Sequence, residues 1–154
     1  MSGETLDPVA ALRIRSARAG DWVAVSALVT ASKLPLDGAR EHLDDFLVAE
    51  SAGALIGVIG VERYGDGGLL RSAAVDADWR GRGVGESLLE ALLVRETSTG
   101  LRAMYLLTET AEGWFTRFGF ARISRDIVPD SLRASVEFTT ACPASAIVMQ
   151  RALD

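Results

Sequence analysis

A chain of 154 residues holds one domain with a real core and is too short for two ordinary ones. Its composition, 49% hydrophobic and 24% charged, excludes a disordered chain, and its net charge of −5 disfavours general attraction to nucleic acid. The single cysteine, Cys142, excludes an intrachain disulfide framework, and no apolar run reaches the length of a membrane span. Residues 1–10 read as a loose tail ahead of one domain over residues 11–154. Met1 to Asp7 lack the basic and apolar parts of a signal peptide, so the cytoplasm is the expected location. Leu12 to Arg15 alternate apolar and polar residues, as a half-buried strand does. From Asp21 to Ala31, Trp22, Val25, Leu28 and Val29 fall on one helical face. Pro35 breaks that helix, and Leu36 to Leu43 predict a short second one. Phe46 to Ala49 and Leu55 to Arg63 read as strands around a turn at Ala52-Gly53. Gly65-Asp66-Gly67-Gly68 is the strongest hairpin signal.

The strand that follows, Leu69 to Val75, runs into Arg80-Gly81-Arg82-Gly83-Val84-Gly85, and a helix follows to about Thr97. Glycines at a strand-to-helix junction leave backbone N–H groups uncovered, and the helix start adds partial positive charge; together they cradle phosphate oxygens. Arg80 and Arg82 add full charges. Two common phosphate loops do not fit. A P-loop needs a lysine followed by serine or threonine, and here Glu86 follows Gly85. The glycine spacing is also wrong for a dinucleotide fingerprint. Further on, Gly100 reads as a helix stop. Met104 to Leu107 predict a strand, Ala111 to Phe118 a helix and Phe120 to Ile123 a short strand. Asp130 to Arg133 predict a helical turn, and Ala146 to Met149 a closing strand. The order β-α-α-β-β-β-α-β-α-β-β predicts an α+β fold.

The pattern Arg80-x-x-Gly83-x-Gly85, with Val75 to Trp79 before it and Trp114 to Phe120 ending in a Gly-Phe turn, resembles the GNAT acetyltransferase superfamily. The resemblance covers roughly residues 11–151. It implies the acyl-CoA N-acyltransferase fold, a central mixed, mostly antiparallel sheet flanked by helices. It also implies acetyl-CoA as cosubstrate: Ala73, Ala74 and Val75 along pantetheine, and Arg80, Gly81, Arg82, Gly83, Val84 and Gly85 on the pyrophosphate. Leu69 to Ser72, Leu107 to Thr110 and the Cys142-Pro143-x-Ser-Ala segment are similar to N-acetyltransferases of bacterial arsenic-resistance operons. Relatives there acetylate amino-acid-like toxins such as arsinothricin and phosphinothricin. The implied partner is a small amine, with no nucleic acid, membrane or metal, and with a homodimer left open.

Acetyl transfer needs a polarised thioester, a neutral amine and a protonated leaving thiolate. The family's proton-donating tyrosine has Phe115 at its matching position, and Phe115 cannot donate. Tyr64 at the hairpin could line a pocket or a surface turn; Tyr105, mid-strand, reads as structural. Glu62 and Glu109 are candidate bases, each with a solvated-carboxylate alternative. His42 lies in a helix region that covers substrate pockets in the family, and an idle surface role is its alternative. Arg71, with Ser72 beside it, sits in an apolar strand and needs a partner: a substrate carboxylate, or a buried pair with Glu62. Alternation puts Arg71, Ala73 and Val75 on one face, with Arg71 roughly 13 Å from Val75. Cys142 reads as an inert thiol. The leading function is an N-acetyltransferase for a small, carboxylate-bearing amine. The alternatives are a non-catalytic acyl-CoA sensor and a protein or peptide N-acetyltransferase.

Overall fold

The computed structural model describes residues 12–142 and 144–153; the expected tail over residues 1–10 and Pro143 lie outside them. In chain order the elements are β1 (Arg13–Ser16), α1 (Trp22–Ala31), β2 (Leu47–Ser51), β3 (Ala54–Tyr64), β4 (Gly67–Val75), α2 (Val84–Ser98), β5 (Ala103–Thr108), α3 (Glu112–Arg117), β6 (Ala121–Ile123), α4 (Asp130–Arg133) and β7 (Ile147–Ala152). The strands form one sheet in the order β1-β2-β3-β4-β5-β7-β6. β4 and β5 run parallel, while β1–β2, β2–β3, β5–β7 and β6–β7 are antiparallel. This is the expected α+β class. The chain divides into two compact units, Met1–Gly60 with Ser72–Leu92 and Val61–Arg71 with Leu93–Asp154.

In the first unit, β2 and β3 meet at a tight turn in which Ala52 (φ 52) and Gly53 (φ 82) are both left-handed, the geometry that suits the twist of a hairpin. The predicted face of α1 is buried through Val25, Leu28 and Val29. It packs in one cluster with Phe46, Val48 and Val58, and Trp22 lies at its margin. Gly57 on β3 governs how closely α2 approaches. A Cβ there would lie 3.0 Å from Leu88 Cδ1 and 3.1 Å from Val84 Cγ1, so a side chain would push back the first turns of α2. One expectation fails. Leu36 to Leu43 do not form a helix; a 3-10 turn occupies Arg40–Asp45 instead. Pro35 lacks an N–H donor, and Gly38 adopts φ 73, so helical hydrogen bonding cannot propagate through the segment.

The start of α1 rests on Asp21. Its carboxylate accepts the Arg18 N–H at 2.7 Å and both ends of the Arg15 guanidinium at 2.8 and 3.0 Å. The Arg15 hydrogen bond outweighs burial and holds the Asp21 carboxyl at about 2, below its ordinary 3.8. A carboxyl lowered on folding stabilises the native state above its unfolded pKa, and that stability is lost as pH falls through the folded one. The window is therefore pH 3.8 down to about 2. Asp21→Asn is expected to cost about 2 kcal/mol at neutral pH and to flatten the acid limb in that window. Urea titrations of both proteins at pH 7 and pH 2.5 check it; parallel losses at both pH values would refute it.

In the second unit, β4 residues Gly67 to Leu70 pair with Ala103 to Leu106 of β5. Leu69, Tyr105, Val128, Leu132 and Val148 form its core cluster. The predicted helix stop is seen at Gly100: Gly100 N–H reaches Thr97 O at 3.2 Å and Leu101 N–H reaches Glu96 O at 3.1 Å, which satisfies the last carbonyls of α2. The late helix, the strand after Phe120, the helical turn at Asp130 and the closing strand all form; Asp130–Arg133 keeps its expected ends, and the others shift by at most three residues.

Candidate active site

In the first unit the chain leaves β4 at Val75 and turns on Asp76. Asp76 N–H donates to Ile56 O at 2.8 Å, and its side chain accepts Asp78 N–H at 2.9 Å. After a 3-10 turn at Ala77–Trp79, the backbone passes through Gly81 (φ 76) and Gly83 (φ 85) and enters α2. The first helical hydrogen bond, Ser87 N–H to Gly83 O at 3.0 Å, makes Gly83 the residue that caps the helix. The N–H groups of α2's first turn have no helical acceptor and belong to its positive end. Gly81, Arg82 and Gly83 are exposed. Arg80 is tied down, donating to Val75 O at 3.1 Å and Ser32 Oγ at 3.4 Å, and Arg82 lies 5.4 Å above the Trp79 ring. Beside the loop is a cleft of about 600 Å³, with Ala24, Ala27 and Ala31 of α1 on one wall and Leu55, Val75 and Arg80 among its other lining residues.

In the second unit Glu62, Tyr64 and Arg71 come together. Arg71 Nη1 donates to Glu62 Oε2 at 2.7 Å, and Tyr64 donates its hydroxyl to Glu62 Oε1. Two residues that the sequence did not point to join the group. Ser135 Oγ donates to Glu62 Oε1 at 2.7 Å, and Glu137 Oε2 lies 3.4 Å from Arg71 Nη2. Glu62, Arg71, Ser135 and Glu137 are all buried. Burial first, then the hydrogen bond to Glu62, pushes the Tyr64 hydroxyl up to about 12. Arg71 thus meets protein carboxylates, the second of its two expected partners. The shared face of Arg71, Ala73 and Val75 is corrected as well. Ser72 is left-handed (φ 58), which breaks the two-residue alternation; Arg71, Ser72 and Ala74 are buried while Ala73 and Val75 are half-buried.

Glu109 is exposed just past β5, and His42 is half-buried in the 3-10 turn of the first unit. Phe115 is inside an aromatic cluster, edge-on to Phe120 with centroids 5.5 Å apart. Tyr105 is buried and accepts a hydrogen bond from Gln150 Nε2 at 3.1 Å, the structural role expected of it. Cys142 is half-buried, and burial followed by the nearby Glu137 charge pushes its thiol up to about 12, so it is a poor nucleophile. Among the described residues no group of three or more His, Cys, Asp and Glu is placed to hold a metal, and no helix is long and apolar enough to cross a membrane.

A family model described as the acetyltransferase (GNAT) domain matches residues 42–122, which include the loop and all of α3. The chain belongs to the GNAT acetyltransferases. This GNAT domain is 28% identical over 133 residues to an uncharacterized N-acetyltransferase of Chlorobaculum tepidum, covering 81% of this chain and 85% of that protein. It is 34% identical over 129 residues to the mycothiol acetyltransferase of Actinosynnema mirum, covering 79% of this chain and 43% of the relative. The amino-acid acetyltransferase of Neisseria meningitidis serogroup A is 26% identical over 140 residues, with 85% of this chain and 32% of the relative covered. The chain therefore spans less than half the length of those last two. In fold it is similar to N-acetylglutamate synthase from Neisseria gonorrhoeae, solved with coenzyme A and N-acetyl-glutamate. That match has a TM-score of 0.81 and 23% identity, over 93% of this chain and 35% of the other.

Proposed function

We propose that this GNAT enzyme uses acetyl-CoA to acetylate the amine of a small, carboxylate-bearing molecule of the amino-acid type. One observation carries the reading: two left-handed glycines, Gly81 and Gly83, flank Arg82 just after Arg80 and open the first turn of α2 to solvent. The loop fits a pyrophosphate. A Cβ at Gly81 would meet no atom within 4 Å, so the space beside the backbone is open. The N–H groups of Gly81, Gly83, Val84 and Gly85 would hold the phosphates with Arg80 and Arg82, and the backbone of Ala73, Ala74 and Val75 would run along pantetheine. When bound, acetyl-CoA supplies an acetyl group activated as a thioester.

The residues of this chain must then handle the acceptor and its protons. Tyr64 and Glu62 share a hydrogen bond along which a proton can pass, and exposed Glu109 can take up the amine's proton through solvent. Phe115 can do neither. Arg71, Ser72 and His42 are the residues we assign to the acceptor. The amino-acid acetyltransferase relative and the N-acetylglutamate-bound neighbour support an amino-acid-like acceptor. The similarity to arsenic-resistance enzymes extends the proposal to amino-acid-like toxins, arsenicals among them.

The buried Phe115 favours one second reading, a non-catalytic acyl-CoA sensor. Incubation with acetyl-CoA and a panel of amino acids, their decarboxylated amines and lysine-rich peptides tests all of this by mass spectrometry. Acetylated amino acids, at kcat/KM at least tenfold above their decarboxylated amines, are the expected result. Acetyl-CoA binding without any acetylated product would establish the sensor, and products from peptides alone a protein acetyltransferase.

A further inference from the structure

Arg71 faces two carboxylates, and the two are held differently. Glu62 comes from the interior of a long strand and accepts hydrogen bonds from Arg71 at 2.7 Å, from Ser135 at 2.7 Å and from Tyr64. Glu137 approaches the other arm of the guanidinium at 3.4 Å, and the Cys142 thiol lies 3.7 Å from its second oxygen. Glu137 also opens a π-helical turn, Glu137–Ala141. Such turns are rare and concentrate at functional sites. Arg71 thus holds two carboxylates close together, and like charges held side by side away from water repel each other. Of the two, Glu137 is the one whose release returns a charge to solvent at the cost of one turn of chain, because Glu62 is fixed in the sheet.

Building on the amino-acid acceptor proposed above, we infer that Glu137 is an internal stand-in on Arg71, whose place the substrate's carboxylate takes while Glu62 remains. A glutamate side chain carries the same planar, two-oxygen group as the proposed ligand, and both match the fork of an arginine. The exchange swaps one carboxylate for another, so the charge around Arg71 is conserved. It also makes the acceptor compete with a residue of the same chain. The affinity for a carboxylate ligand is reduced by the fraction of molecules in which Arg71 is already taken. A molecule without a carboxylate cannot displace Glu137 in this way, which makes the contact a selector as well as a plug.

Two measurements test it. In Glu137→Gln the competing charge is gone but the side chain's shape is kept. The KM for an amino acid, divided by the KM for its decarboxylated amine, is expected to fall about tenfold, with Arg71→Gln moving the ratio the other way. An unchanged or raised ratio in Glu137→Gln would overturn the proposal. The second measurement uses the wild-type protein and no turnover. Cys142 is the only cysteine and sits against Glu137, so its reaction rate with an aromatic disulfide reagent reports whether that segment has moved. Glutarate is expected to speed the reaction several-fold, while 1,5-pentanediamine at equal ionic strength does not. A rate that glutarate leaves unchanged or slows would overturn the inference even if Glu137→Gln failed to fold. If the amine panel gave no acetylated amino acid while glutarate still exposed Cys142, the acceptor reading would fall and the stand-in would survive.

Discussion

Gly83→Val is expected to weaken acetyl-CoA binding more than a hundredfold while leaving the far-UV circular dichroism spectrum native. Gly83 caps α2 at φ 85, a left-handed conformation that a β-branched residue adopts only at high cost. The backbone must therefore turn away, and the N–H groups proposed to hold the phosphates turn with it. Each charge-assisted contact is worth roughly 1.5–3 kcal/mol, so losing two removes about 3–6 kcal/mol, or two to four powers of ten in Kd. The fold is spared because Gly83 is exposed. Gly81→Ala is the graded control. Its Cβ meets no atom within 4 Å of the free protein, so it brings φ strain and a clash only with the ligand, and its loss should be the smaller one. Calorimetric titration of both variants with acetyl-CoA decides the matter. An unchanged Kd in Gly83→Val would remove the loop from the coenzyme site.

Arg71→Gln should produce the largest stability loss of any single change at the second unit's polar group. It leaves Glu62 and Glu137 buried without their shared cation, and breaking a buried ion pair from one side costs about 3–5 kcal/mol. For a domain of this size that lowers Tm by roughly 10 °C. The variant should also raise the KM for a carboxylate-bearing amine by one to two orders of magnitude, on the worth of one charge-assisted contact, with little change in acetyl-CoA affinity. The two effects can be separated. Replacing all three charges, as Glu62→Gln, Arg71→Met and Glu137→Gln together, removes the unpaired carboxylates, so most of the Tm should return. The high KM should persist, because the fork that recognises a carboxylate is still missing. Thermal melts with matched kinetics on the single and triple variants give the answer. If KM recovered together with Tm, Arg71 would be a structural residue alone.

The sequence by itself determined the parts of this protein that depend on a few neighbouring residues. Arg80-x-x-Gly83-x-Gly85 places left-handed glycines at the head of α2, because glycine tolerance and helix-end donors act within one turn of chain. Gly100 ends α2, and Ala52-Gly53 turns a hairpin, for equally local reasons. Leu36 to Leu43 mislead because their apolar spacing suits a helix while Pro35 and Gly38 deny its backbone the hydrogen bonds it needs. The partners of Arg71 were decided only by the tertiary structure. Ser135 is 73 residues away from Glu62, and no propensity or spacing rule relates residues so distant. The same holds for the left-handed Ser72, which breaks the register that alternation predicts for β4. Local chemistry can place a loop at the head of a helix, but only the packing of strands and turns from distant parts of the chain brings Glu62, Ser135 and Glu137 around one guanidinium.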